Sequence, residues 1–353
     1  LVKSRGITFI EGYGKLVAKD SVEVNGVRYT GKNVILATGS YAKTLPGLEI
    51  DGEKIITSDH GTKMSYVPKS VIVLGGGVIG CEFASVWKSF GSDVTIIEGL
   101  PHLIALEDES SSKQLERAFR KRGIKFELGV RFQSAVKNAD GVTVTLEDGK
   151  TFTADVLMVS VGRGPVSANL GYEEQGISMD RGYVLVDDKC RTNVPGIWAV
   201  GDLIPTLQLA HVGFAEGILV AEEIAGLNPR PINYDGIPRV TYSDPEVASV
   251  GLTTAEAKKR GHDVVELTYD LAGNGKAQIL NTAGSIKLVA QKDGPVLGVH
   301  MVGARVGALL AEAELIYNWE ARASDVAPLI HAHPTLSEAM GEAHMALAGK
   351  PLH

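Results

Sequence analysis

A chain of 353 residues is longer than one hydrophobic core usually serves, and its hydrophobic share of 44% is that of a globular protein, so two or three packed units are expected. With 35 basic against 42 acidic residues, a net charge of -7 and no basic stripe, the sequence excludes a nucleic-acid binder. No apolar run approaches the length of a membrane span and no basic n-region precedes an apolar h-region in these residues, so a soluble, cytoplasmic protein is expected. The two cysteines, Cys81 and Cys190, each in an apolar setting, suit a reducing compartment and packing roles.

In chain order, Ile7 to Glu11 and Ser21 to Tyr29 read as strands with too little apolar surface for a domain. The chain opens without Met, and further sequence is expected before it. "KNVILATGS" from Lys32 reads as a short buried strand ending in a glycine turn, and a polar connector runs to Pro68. Strand Val71 to Leu74, helix Val78 to Phe90, strand Val94 to Glu98 and helix Ser110 to Arg122 then give a βαβα pattern and hence a parallel sheet. A hairpin about Asp148-Gly149 precedes strand Val156 to Val161. Two short strands, the second ending at "WAVGD", lead to a helix from Gln208 to Ala225. From Pro238 the pattern becomes antiparallel and closes on helices at Ala304 to Trp319 and after Pro334, as in a separate α+β domain.

The segment "VIVLGGGVIGCEFASVWKSFGSDVTIIE" sets Gly75, Gly77 and Gly80 in G-x-G-x-x-G register between a strand and a helix. The first glycine permits the tight turn, the second lets backbone approach a pyrophosphate, and the third lets helix and strand pack closely. Glu98, closing the next strand, is placed to accept hydrogen bonds from an adenosine ribose. A carboxylate there repels a 2′-phosphate and "GLPHL" offers no Arg to neutralise one, so NAD is favoured over NADP. A merely steric glycine turn with a solvated Glu98 is the competing reading. Glu82, early in the helix, is either a cofactor contact or a solvated residue.

Asp202 follows a buried strand and Gly201, where sheets of this class bind ligands, although a strand-end Asp is also a common cap. Ala210 and His211 stand near a helix N-terminus that could face an electron-rich ring. In "LIHAHPTLSEAMGEAH", Pro334 reads as a first helical residue, with His333 just before it and Glu338 one and a half turns inside. A carboxylate on one imidazole nitrogen would leave the other as a general base near neutral pH; equally, His333 could simply cap the helix. His331 and His344 show no comparable partner, and the histidines show no metal-ligand spacing.

Together "ILATGS", "VLGGGVIGCEFA", "VTIIE", "SVGRGP", "GIWAVGDL", "LAHVGFAEG", "YSDPEVASVGLT" and "HAHPTLSEAMGEA" resemble the pyridine nucleotide–disulfide oxidoreductase family, above all its members that oxidise protein-bound dihydrolipoamide. The resemblance implies an α/β fold: a Rossmann-like parallel-sheet NAD domain, a partial FAD domain and a C-terminal α+β dimerisation domain. It divides the chain into an FAD-domain remnant (1–50), the NAD domain (51–165), a second part of the FAD-binding or central domain (166–237) and the dimerisation domain (238–353). It further implies a homodimeric flavoprotein that oxidises the dithiol on a lipoyl domain of a 2-oxoacid dehydrogenase complex, or on a glycine cleavage carrier, and passes hydride to NAD. Thr38, Gly39, Asp202 and Ala210 would contact FAD; Gly75, Gly77, Gly80, Glu82, Glu98 and Gly162 would line the NAD site; and His333 with Glu338 would deprotonate the dithiol. The family's N-terminal FAD fingerprint and Cys-x4-Cys redox pair are absent from these residues, so the FAD site is expected to be incomplete and the chain inactive alone. The alternatives are a glutathione reductase-like relative and a non-catalytic NAD-binding and dimerisation fragment.

Overall fold

The computed structural model describes residues 1–139 and 141–352. Its contacts separate two units, one of Leu1–Tyr41 with Arg163–Tyr234, the other of Ala42–Gly162 with Asp235–His353.

In the larger unit, the central strand Ser70–Leu74 is buried at four of its five positions, as a parallel strand covered on both faces requires. It lies between Val156–Val159 and Asp93–Glu98, and the five-stranded parallel sheet is completed by Ile55–Ile56 and Lys125–Leu128 at its edges. The polar connector thus contributes an edge strand: Ile55 and Ile56 are both buried, a two-residue signal too short for periodicity to show. Helix Val78–Ser89 turns Cys81, Ala84 and Trp87 onto the sheet, and helix Glu109–Lys121 adds Leu115 and Phe119 to the same core. The Asp148-Gly149 hairpin forms between Gly141–Leu146 and Thr151–Ala154, with Gly149 at φ +84°.

The same unit carries a five-stranded antiparallel sheet, ordered Arg239–Thr241, Glu246–Gly251, Val296–Gly303, Ser285–Gln291, Val264–Asp270. All eight residues of Val296–Gly303 are buried. Helices Leu310–Asn318 and Glu338–Leu347 cover it with Leu310, Ala313, Ile316, Ala339, Met340 and Ala343. Each large apolar side chain so enclosed contributes about 1.5–3 kcal/mol.

The smaller unit pairs Val34–Leu36 in parallel with Ile197–Ala199, beside a three-stranded antiparallel sheet. Residues Ile7 to Glu11 form no strand; Ile7, Phe9 and Ile10 are exposed, with no ladder to join. Ser21 to Tyr29 is a hairpin rather than one strand, because Asn25 and Gly26 both take positive φ, as a two-residue primed turn demands. Helix Ala210–Ile224 packs Leu219 and Val220 into this unit's core, and its Val212 is buried as well.

Candidate active site

At the end of the central parallel strand, Gly75 sits at φ +107°, and a Cβ there would lie 2.4 Å from the Ser160 carbonyl oxygen. A Cβ on Gly80 would come within 1.9 Å of the Gly75 carbonyl oxygen, so only glycine allows the helix to start this close to the strand. One on Gly77 meets nothing within 4 Å. No side chain caps the helix at Gly77, leaving its opening N–H groups for an anion to satisfy. The Gly76 N–H donates to Glu98 Oε2 at 2.5 Å and the Leu100 N–H to Glu98 Oε1 at 2.7 Å, placing the carboxylate at the turn with lone pairs to spare for hydroxyls. The Gly76 carbonyl accepts from the Ile104 N–H at 2.8 Å and the Cys81 thiol at 3.3 Å. These features fit an adenosine dinucleotide.

Glu82 is half-buried, and its Oε1 accepts from the Tyr242 N–H at 2.8 Å; burial pushes its carboxyl pKa up, against that N–H. Gly162, at φ +111°, accepts from the Lys43 N–H at 2.9 Å and leaves its Cβ side open.

In the smaller unit Asp202 stands in the turn Gly201–Leu203, just after strand Ile197–Ala199. Its Oδ2 accepts from Ser40 Oγ at 2.5 Å, while Arg163 donates Nε to Ser40 Oγ at 2.6 Å and Nη2 to the Ser40 carbonyl at 2.9 Å. Thr38 Oγ1 donates to the Val166 carbonyl at 2.5 Å, and Gly39 takes φ +73° with no atom within 4 Å of its Cβ position. Ala210 opens its helix, uncapped by any side chain. Beneath this turn, Glu216 is fully buried; it accepts from the Gly201 N–H at 2.6 Å, Thr206 Oγ1 at 2.9 Å and Tyr234 Oη at 2.9 Å. Sequence reasoning missed Ser40, Arg163 and Glu216, although Ser40 follows Gly39 and Arg163 follows Gly162 inside the quoted motifs. The set suits a hydroxyl-rich ligand carrying an electron-rich ring, as FAD does.

His333 Nδ1 lies 2.9 Å from Glu338 Oε1, and Glu338 Oε2 accepts from the Thr335 N–H at 2.8 Å. The Thr335 N–H and then His333 hold the Glu338 carboxyl below its ordinary range, so this carboxylate can only accept. The Nδ1 proton is therefore assigned to the shared hydrogen bond, leaving Nε2 as a proton acceptor on a side chain that is 77% exposed. Two expectations are corrected. Pro334 is not a first helical residue: the helix is Glu338–Leu347, so Glu338 opens it instead of lying inside it, and Thr335 and Glu338 bond reciprocally across the T-x-x-E step that leads into it. Likewise His331 does have a partner, Glu312 Oε1, 2.7 Å from its Nε2.

Both thiols are buried, and burial pushes both up, Cys190 to about 12. Cys190 lies at a bend with φ +60°. Neither has thiolate character. Among the described residues, no group of three or more His, Cys, Asp or Glu is placed to hold a metal, and no helix is long and apolar enough to cross a membrane.

Residues 1–217 match the pyridine nucleotide-disulphide oxidoreductase model and residues 237–344 that family's dimerisation domain. The dihydrolipoyl dehydrogenase of Cupriavidus necator is 41% identical over all of this chain, which spans 77% of that relative's length. The Bacillus subtilis dihydrolipoyl dehydrogenase is 42% identical over 91% of this chain and 69% of its own. The crystal structure of LpdA from Mycobacterium tuberculosis superposes with a TM-score of 0.91 at 27% identity, covering 98% of this chain and 78% of that one. The chain is thus a disulfide oxidoreductase of the pyridine nucleotide–disulfide oxidoreductase family, whose dihydrolipoyl dehydrogenase members use FAD and NAD.

Proposed function

We propose that the chain serves dihydrolipoamide oxidation with NAD as acceptor, and the observation that carries the reading is the His333–Glu338 pair with its free Nε2. Glu338 holds the Nδ1 proton, and Nε2 takes the proton of a dithiol, leaving the thiolate that is the reactive form. The Glu98 carboxylate, aimed at the turn, supports NAD by accepting from ribose hydroxyls and repelling a 2′-phosphate. Gly75, Gly77 and Gly80 would seat the pyrophosphate, with Glu82 and Gly162 at the same site. Thr38, Gly39, Asp202 and Ala210 would hold FAD, which when bound supplies two-electron passage between dithiol and nicotinamide.

In domain terms we assign residues 51–165 to NAD, 1–50 and 166–237 to FAD and 238–353 to a homodimer interface, supported by the dimerisation-domain match. The partner is a lipoyl domain of a 2-oxoacid dehydrogenase complex or a glycine cleavage carrier. Neither Cys81 nor Cys190 can be the electron-accepting disulfide, so these 353 residues alone are expected to show only background turnover.

The test is His333→Gln in FAD-loaded protein that also carries the family's Cys-x4-Cys pair, with dihydrolipoamide and NAD. Dithiol oxidation should fall about 100- to 10,000-fold with flavin content unchanged. Turnover equal to the parent's would remove the base assignment. Because the Glu338 carboxyl is held below the ordinary carboxylate range, the acid limb of the parent's rate profile should not report its titration.

A further inference from the structure

Resting on the reading of His333 as the base, we propose that the neighbouring pair His331–Glu312 is the positioning device that presents His333 to Glu338. The segment from Pro328 to Pro334 has no regular secondary structure, and every side chain in it is exposed except one. Leu329 is 57% and Ile330 99% exposed, whereas the His331 side chain is 13% exposed. His331 alone turns inward, and it is fixed on two sides. Its Nε2 meets Glu312 Oε1 at 2.7 Å on helix Leu310–Asn318. Its ring lies over Gly341 of helix Glu338–Leu347, where a Cβ would stand 2.6 Å from Nδ1 and 2.8 Å from Cε1.

The helix that seats His331 therefore also carries Glu338 at its first position. His333, two residues beyond the wedge, is hydrogen-bonded to that helix through Glu338. Releasing His331 frees the loop from both helices and leaves one exposed hydrogen bond to orient the base, which solvent competes for. A displacement of about 1 Å at a reacting group costs on the order of 100-fold in rate.

Three variants test this. His331→Ala removes the wedge. Gly341→Ala keeps every polar group but drives a methyl into the ring's place, and on helix propensity alone it should stabilise the protein. His331→Gln can still donate to Glu312. The first readout is the His333 tautomer in long-range proton–nitrogen spectra of histidine-labelled protein, which needs no cofactor. Both Ala variants should lose the fixed Nδ1-protonated signature, and Gln should restore it at least in part. The second is dithiol oxidation in FAD-loaded protein that also carries the family's Cys-x4-Cys pair, where the Ala variants should lose about 10- to 100-fold in kcat with KM for NAD unchanged. A fixed tautomer and parental kcat in both His331→Ala and Gly341→Ala would overturn the proposal. If His331→Ala fails to fold, Gly341→Ala decides it alone. Should His333→Gln retain parental turnover, the base reading falls, and the tautomer spectra still judge whether His331 places the ring.

Discussion

Two strand-to-helix turns in this molecule reach similar ends by different means. After Ser70–Leu74, the chain turns on what is missing: no Cβ at Gly75, because of Ser160, and none at Gly80, because of Gly75. After Ile197–Ala199, it turns on a side chain, the buried Glu216, which gathers the Gly201 N–H, Thr206 and Tyr234. The glycines of the first device fall within six residues, although Ser160, which a Cβ on Gly75 would meet, lies 85 positions away. The second depends on a residue fifteen positions from the N–H it binds, and Ser40, which donates to Asp202 in that turn, lies 162 positions from it.

The contrast can be broken from its strongest side. Gly80→Ala should destabilise by about 3 kcal/mol, since its methyl meets backbone that cannot yield cheaply. A denaturant melt within about 0.5 kcal/mol of the parent would show that the turn is not glycine-locked. Glu216→Gln should cost about 2–3 kcal/mol, because an amide offers one accepting oxygen where the carboxylate offers two and so leaves a buried donor unmet. If it melts like the parent, a carboxylate is not what builds the second turn. Glu98→Gln should weaken NAD binding roughly tenfold in a calorimetric titration, the scale of one hydrogen bond to a charged group. Gly77→Ala, with open space around it, should stay within about 0.5 kcal/mol in a melt yet weaken NAD binding in a calorimetric titration. Equal melting effects from Gly77→Ala and Gly80→Ala would erase the distinction between a packing glycine and an approach glycine.

What could be read in the sequence follows the same division. Gly75, Gly77, Gly80 and Glu98 were legible because register and spacing are local, and His333 with Glu338 because five residues separate them. Arg163 over Ser40 and Glu312 on His331 were not, for each joins segments brought together only by the fold. The Asn25-Gly26 turn and the T-x-x-E step before the last helix were written in local code and overlooked. Ile104, buried with φ +44°, has no sequence signal: its neighbours hold a β-branched residue in a region it rarely adopts, at about 1–3 kcal/mol.

The Cys81 thiol, donated to the Gly76 carbonyl and closed off from solvent, carries an experimental consequence. An alkylating reagent can reach it only when the helix lifts from the sheet, so its labelling rate is a clock for opening of the glycine turn, and a ligand that grips the turn should slow that clock. Cys190 keeps time in the other unit, giving two independent readings of local opening from one mass spectrum.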